Sequence, residues 1–187
     1  MIIPLEKCYE NIKRFAFKNL ELKTDCKILD IGCGLRGNFW QFASQSYIGL
    51  DVNRIILKKL EKRENGTYKL HDLRRGLPYP DEFFDYVVSV SFFHHFSDQQ
   101  AGQLIRQIKH VLSHKGRAIM VDGVYPDSLL NFPGMLIRYL DRGRYVRNAD
   151  KFEQLFLKEF DIEKKYRFTE SIFAYTALLL RPKNDGT

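Results

Sequence analysis

Asp30, Asp51 and Asp72 recur at intervals of 21 residues, and each closes a short apolar run of strand-like composition. The first stands directly before a glycine-rich stretch, Gly32-Cys33-Gly34-Leu35-Arg36-Gly37. If the three runs are consecutive parallel strands, their ends share one edge of a sheet, and open α/β sheets bind ligands in the crevice at that edge. Carboxylates accept hydrogen bonds and attract positive charge. Three of them along one rim suit a ligand with paired hydroxyls, an amine and a cationic centre. A second group with chemical potential is His94-His95, just after the next apolar run at 84–90. Imidazole takes or gives a proton near neutral pH.

These residues need elements to hold them. Leu5, Cys8, Tyr9, Ile12, Phe15, Ala16 and Leu20 have helical spacing, which predicts a helix over 4–20. Residues 27–31 form the first expected strand, followed by the glycine loop and a short helix over 38–44. A second strand at 47–51 leads to Asn53, a capping residue for a helix bearing Ile55, Ile56, Leu57 and Leu60. Asn65-Gly66 ends that helix, and 67–72 is the third strand. After a turn-rich stretch, 84–90 reads as a buried central strand. An amphipathic helix over 98–114 ends at Gly116, and 117–122 is the fifth strand. Strands alternating with helices indicate parallel βαβ units. A helix over 151–160, with Phe152, Leu155 and Phe156 inward, then precedes an antiparallel hairpin of 162–168 and 174–180. The expected fold is α/β: a doubly wound, mostly parallel seven-stranded Rossmann-like sheet, helices on both faces and an antiparallel hairpin at its end. The expected organisation is a single domain over 1–187. It divides into the N-terminal helix 4–20, a half of alternating strands and helices over 25–122, a basic segment 123–150, and a C-terminal helix and hairpin 151–182.

A chain of 187 residues with 44% hydrophobic residues can bury a substantial core as one domain. Its longest uncharged apolar run, 171–180, is too short to span a bilayer. The first residues lack the layout of a secretion signal. Cys8, Cys26 and Cys33 are odd in number, with no two-residue-spaced pair, which speaks against a disulfide framework or a zinc site and for a reducing, cytoplasmic setting. The net charge of +7 is spread along the chain, a weak preference for anionic partners. One local cluster stands out, Arg138, Arg142, Arg144 and Arg147.

Gly32-x-Gly34-x-x-Gly37 matches a dinucleotide fingerprint, with Asp51 near the distance of a ribose-binding acid. Alone, it serves NAD as well as S-adenosylmethionine. A pyrophosphate dianion beside Asp30 is unfavourable, and NAD leaves Asp72 without a role. S-adenosylmethionine offers ribose hydroxyls, an adenine amine and positive charge together, and is the preferred ligand.

Here the residues reach a known family. Ile28-Leu29-Asp30-Ile31-Gly32-Cys33-Gly34 resembles motif I of class I S-adenosylmethionine-dependent methyltransferases, of the small-molecule type. Tyr47-Ile48-Gly49-Leu50-Asp51 is similar to their second motif. His71-Asp72-Leu73 and then 77–89 are similar to the third and fourth, and Ser91-Phe92-Phe93-His94-His95-Phe96 resembles the segment that follows. The resemblance spans about residues 25–122. It implies that Gly32, Cys33 and Gly34 approach the methionyl end of the cofactor and that Asp30 receives its ammonium group, directly or through water. It further implies that Asp51 takes the ribose hydroxyls, Val52 packs on adenine, Asp72 accepts from the adenine amine and Leu73 offers a backbone N–H. Ser89, within the fourth motif, joins this set. One departure is Arg36, which stands where the family carries its third glycine, so that Gly37 comes one residue late.

Methyl transfer is an in-line displacement in which alignment supplies much of the rate. A base is needed only where the acceptor must lose a proton. His94 and His95 are the candidates, with His94 preferred because His95 fits the position that packs inward. Arg138, Arg142, Arg144 and Tyr145, in the family's substrate-cover segment, could hold a carboxylate, phosphate or sulfate. A solvated helix face is the bland alternative, and an amphipathic membrane-surface helix over 129–144 is disfavoured by its prolines and glycines. No Asn/Asp-Pro-Pro-Tyr/Phe motif, Pro-Cys pair or Glu/His metal cluster follows the fourth strand. These absences set aside the amino, cytosine carbon-5 and metal-binding quinone-precursor O-methyltransferase subclasses, and no metal is expected. The expected function is methylation of a small-molecule acceptor, anionic or lipid-like, at oxygen or carbon, with S-adenosylhomocysteine as product. The alternatives are RNA methylation and a catalytically silent S-adenosylmethionine-binding protein; nucleic acid is not favoured as a partner, and peripheral membrane contact stays open.

Overall fold

The computed structural model describes residues 25–35, 37–38, 46–63, 66–126, 134, 136, 144–170 and 172–184. The helix predicted over 4–20, nearly all of that over 38–44 and most of the cover segment lie outside the described residues. The strands are β1 (Lys27–Ile31), β2 (Ser46–Asp51), β3 (Thr67–Leu70), β4 (Phe84–Val90), β5 (Leu112–Val124), β6 (Phe160–Glu170) and β7 (Phe173–Pro182). The helices are α1 (Arg54–Arg63), α2 (Asp98–Val111) and α3 (Ala149–Gln154). Strand order is β3-β2-β1-β4-β5-β7-β6. The first five strands run parallel, and β7 lies antiparallel to both β5 and β6. The chain winds outward from β1 through β2 and β3, then returns to β4 on the other side of β1. A crevice therefore opens between β1 and β4 at their C-terminal ends.

Side chains alternate across the sheet, so each central strand feeds two cores. Leu29, Ile31, Val87 and Met120 meet Leu104, Ile105 and Ile108 of α2 and Phe152 of α3 on one face. Ile28, Val88, Ile119 and Val121 meet Leu57 and Leu60 of α1 on the other. Ile55 points outward and is 69% exposed, so only part of the expected α1 stripe is core.

The boundaries differ from expectation in three instructive ways. Helix α2 starts on a capping box, with Ser97 and Gln100 satisfying each other's backbone, but ends at Val111. Leu112 is already extended (ψ 135°), and the His110 carbonyl accepts the Glu82 N–H at 2.8 Å instead of continuing the helix. Gly116 is no helix stop. A Cβ there would lie 2.9 Å from the Asp85 and Ser113 carbonyl oxygens, at the bulge where β5 shifts register against β4. β3 ends at Leu70, and Asp72 caps the following 3₁₀ turn, Leu73–Arg75. Helix α3 begins earlier than expected, capped by Asn148, and Phe160 opens β6.

Candidate functional site

β1 and β2 pair with Ile31 beside Leu50, so Gly32 emerges at the rim next to Asp51. The Gly32 and Cys33 N–H groups both donate to the Leu50 carbonyl, at 2.9 and 3.0 Å. Gly32 (φ 66°) and Gly34 (φ 60°) are left-handed, the conformation that glycine adopts without steric cost. A Cβ on Gly32 would also overlap the Phe92 ring, which lies against it from the turn after β4. Among the described residues, a Cβ on Gly34 would have only the Gly32 carbonyl near it, at 3.8 Å. Among these residues, the loop is thus closed at Gly32 by an aromatic ring and open at Gly34. Cys33 is buried at 4% exposure and its side chain lines the α1 face of the sheet.

Asp51 braces this loop. One carboxylate oxygen accepts the Gly34 N–H at 3.0 Å, and the other accepts the Asn53 N–H at 2.8 Å. Asn53 in turn caps α1 through Ile55 and Ile56. Each carboxylate oxygen has further lone-pair capacity. Val52, next in the chain, is 62% exposed. Asp72 also stands at the rim. Its carboxylate caps the Arg74 N–H at 3.1 Å and receives the Arg74 guanidinium as a fork, Nε at 2.9 and 3.2 Å and a terminal nitrogen at 2.9 Å. These hydrogen bonds hold its carboxyl below the usual carboxylate range. Leu73 beside it is buried.

Asp30 is placed differently from the other two. It is fully buried, and one oxygen accepts from Asn38 Nδ2 at 2.8 Å and from the Tyr47 hydroxyl. The Tyr47 oxygen also accepts the Asn38 N–H at 3.1 Å. Burial, and then the negative charge of Asp30, pushes the Tyr47 phenol well above its ordinary range. Asp30 is thus engaged within the fold by Asn38 and Tyr47. The carboxylate works from beneath, fixing Asn38. Asn38 Oδ1 and Ser89 Oγ are buried and have no hydrogen-bond partner among the described residues. Buried acceptors left open in this way mark where a ligand's donor can bind.

Across the switch point, His94 sits in a 3₁₀ turn after β4, 8% exposed. Asp122, near the end of β5, accepts its backbone N–H at 3.0 Å and pairs with its Nδ1 at 2.6 Å. Gly123 N–H donates to the same carboxylate at 2.7 Å. His95 is exposed, its ring 4.2 Å from that of His94. The inward histidine is therefore His94, opposite to the packing expected, because the Asp122 carboxylate draws it in. Of the substrate candidates, Arg138 and Arg142 lie outside the described residues. Arg144 is exposed, and Tyr145 is 41% exposed with its N–H on the His94 carbonyl at 3.0 Å. Arg147, fourth member of the basic cluster, is not a surface cation. It is buried and donates to the carbonyls of Phe93, Phe96 and Tyr145 and to Asp98. Sequence reasoning missed Asp122 and Asn38, and grouped Arg147 with the basic cluster without seeing its structural role. Asp122 left a signal, as a fourth aspartate near a strand end at the same rim.

A methyltransferase domain model matches residues 28–116. The uncharacterized methyltransferase YcgJ of Bacillus subtilis is 28% identical over 117 residues, covering 59% of this chain and 46% of the relative. A Methanocaldococcus jannaschii protein, MJ0638, is 33% identical over 128 residues, covering 67% of this chain and 52% of the relative. The chain thus spans about half the length of these curated relatives. Among solved structures, the Pyrococcus horikoshii protein PH0226 superposes with TM-score 0.75 at 20% identity, covering 95% of this chain and 91% of that one. This likeness concerns the fold.

Proposed function

Because this chain belongs to the class I S-adenosylmethionine-dependent methyltransferases, we propose that it transfers a methyl group from S-adenosylmethionine to oxygen or carbon of a small-molecule acceptor. One observation carries this reading: the Phe92 ring lies on Gly32, joining the glycine loop directly to the turn that bears His94. Donor cradle and candidate base are thereby neighbours across the switch point. The residues present fit the cofactor. Gly34 leaves the backbone open and Asn38 Oδ1 offers a buried acceptor for the methionyl ammonium. Asp51 takes the ribose hydroxyls, with Val52 and Leu73 against adenine and Asp72 on its amine. When bound, the cofactor supplies an electrophilic methyl carbon. His94 accepts the acceptor's proton, and His95, exposed beside it, shields the approach. Arg144 and Tyr145 meet an anionic group on the acceptor.

Calorimetry with S-adenosylhomocysteine and NAD tests the cofactor, and methyl-labelled donor with fractionated extract tests the acceptor. Heat with the nucleoside, none with NAD, and label in a low-molecular-weight pool are expected. A second reading, RNA methylation, draws on the +7 charge and on matched relatives named 18S rRNA (guanine-N(7))-methyltransferase in Bos taurus and Dictyostelium discoideum. Label in RNA, with binding that weakens steeply with salt, would favour it over the small-molecule reading.

A further inference from the structure

We infer that the corner of the rim formed by the start of α1 and the end of β3 docks on an anionic lipid bilayer, and that the methyl acceptor is drawn from the lipid phase. The docking stands on surface chemistry alone, whereas the acceptor class rests on the methyl-transfer reading above.

Single apolar side chains scattered over a surface are ordinary, but a group gathered at one edge is not. Seven large apolar side chains are exposed among the described residues. Four of them, Leu35, Val52, Ile55 and Leu70, lie within four residues of the C-terminal ends of β1, β2 or β3. A fifth, Tyr145, donates its N–H to the His94 carbonyl in the turn after β4. Leu35 and Val52 border the glycine loop and the adenine site, so the cofactor accounts for them. Ile55, 69% exposed, and Leu70, 48% exposed, have no such role.

The fold puts these two at one corner. α1 packs with Leu57 and Leu60 inward, which turns Ile55 outward at its first turn. β3 is the edge strand, and Leu70 shares with Tyr68 the strand face that α1 covers. Ile55 follows Asp51 by four residues, and Leu70 precedes Asp72 by two, so the corner adjoins the cofactor crevice. Cations surround it. Arg54, Lys58, Lys59 and Lys62 are exposed on α1, Lys69 on β3 and Arg75 on the turn that follows. Lys58, Lys59 and Lys62 continue from Ile55 at helical spacing along the outer face. None of these six has an ion-pair partner among the described residues, and Glu61 is the only acidic residue of α1.

Aliphatic side chains ringed by ammonium and guanidinium groups match one surface chemistry, anionic headgroups over hydrocarbon. RNA would meet the charge, but it stacks its bases on aromatic rings and gains little from isoleucine or leucine. A protein strand added to β3 would find four residues with Lys69 exposed, and a short, charged edge discourages such pairing. Docked at this corner, the crevice between β1 and β4 opens along the headgroup layer. An acceptor with a hydrocarbon tail then reaches the donor methyl group without leaving the bilayer.

Sedimentation with vesicles of phosphatidylcholine, alone or with about one-third phosphatidylglycerol, tests the docking. The whole chain should pellet with the anionic vesicles, come off as salt rises, and stay in solution with the neutral ones. Ile55→Ser and Leu70→Ser should each weaken binding about tenfold. Lys58→Glu combined with Lys59→Glu should weaken it about 20-fold or more. All of these variants should keep the wild-type affinity for S-adenosylhomocysteine, since none of the side chains belongs to the cofactor site. Methyl-labelled donor, given to protein on vesicles of extracted lipid, should put label into the organic-solvent fraction. No pelleting with anionic vesicles, or pelleting unchanged in both serine variants, overturns the docking. So does an acidic protein that binds through Ile55 and Leu70 while vesicles do not. Label confined to water-soluble compounds or to RNA overturns the lipid acceptor. If vesicles bind but S-adenosylhomocysteine does not, the methyl-transfer reading fails and the docking stands.

Discussion

Replacing Arg147 with alanine should cost this fold more than any single surface change. The guanidinium is 7% exposed and donates to three main-chain carbonyls: Phe93 at 3.2 Å, Phe96 at 2.7 Å and Tyr145 at 3.0 Å. Two of those bonds, to Phe93 and Phe96, are buried. Each buried acceptor left unsatisfied costs about 1–3 kcal/mol. The Asp98 end of the network is 82% exposed, and such ion pairs contribute about 1 kcal/mol or less. Releasing a buried charge returns part of the loss, which leaves a net destabilisation of about 3–4 kcal/mol. For a chain of this size that is a fall in Tm of about 10 °C. Urea unfolding followed by circular dichroism measures the loss, with Asp98→Asn as the contrast at about 1 kcal/mol or less. Arg147→Lys should behave nearer to alanine, since a single ammonium cannot span three carbonyls. If Arg147→Ala stays within about 1 kcal/mol of wild type, or Asp98→Asn is equally damaging, the carbonyl-bolt reasoning is wrong.

Asp51→Ala should weaken S-adenosylhomocysteine binding by about 100-fold in calorimetry, the scale of charge-assisted hydrogen bonds to two hydroxyls; an unchanged affinity would remove Asp51 from the ribose site. Gly32→Ala combines a left-handed backbone with overlap of the Phe92 ring, and should destabilise by about 2 kcal/mol or more. Adding Phe92→Ala should relieve the overlap but not the backbone strain, so a complete rescue in the double variant would contradict the geometry. The Tyr47 phenol is held protonated in the fold, so its contribution is whole below the unfolded phenol pKa of about 10 and declines as pH rises above it. Tyr47→Phe should lower stability by about 1–2 kcal/mol at pH 7 and flatten the alkaline limb of the stability–pH curve; parallel limbs would argue against it. Arg74→Ala should return the Asp72 carboxyl toward the ordinary range in an NMR titration, since the Arg74 hydrogen bonds are the leading cause of its depression.

Where the sequence spoke through spacing, the structure answers closely. β1 and β4 fall on the expected residues, because strands buried on both faces show as short, predominantly apolar runs even where an aspartate interrupts them. The C-terminal hairpin and the Asn53 cap were equally legible. What was hidden depends on partners distant in sequence. Helix α2 stops early because Glu82, 28 residues upstream of its His110 carbonyl, competes for that acceptor. Asp30 looked like its two neighbours at the rim, yet Tyr47 and Asn38 draw it under the loop. Arg147 was read with the surface arginines, although its neighbours in space are the carbonyls of a turn some fifty residues earlier. Charge alone does not say whether an arginine meets water or main chain.

The long antiparallel pairing of β5 with β7 has a consequence for biosynthesis. Residues 118–124 are a central, apolar strand only once 174–180 have joined them. On the ribosome, the first two-thirds of the chain emerges with that edge bare, a template for pairing between nascent molecules. Premature termination ahead of the hairpin would therefore yield a species prone to aggregate through that edge.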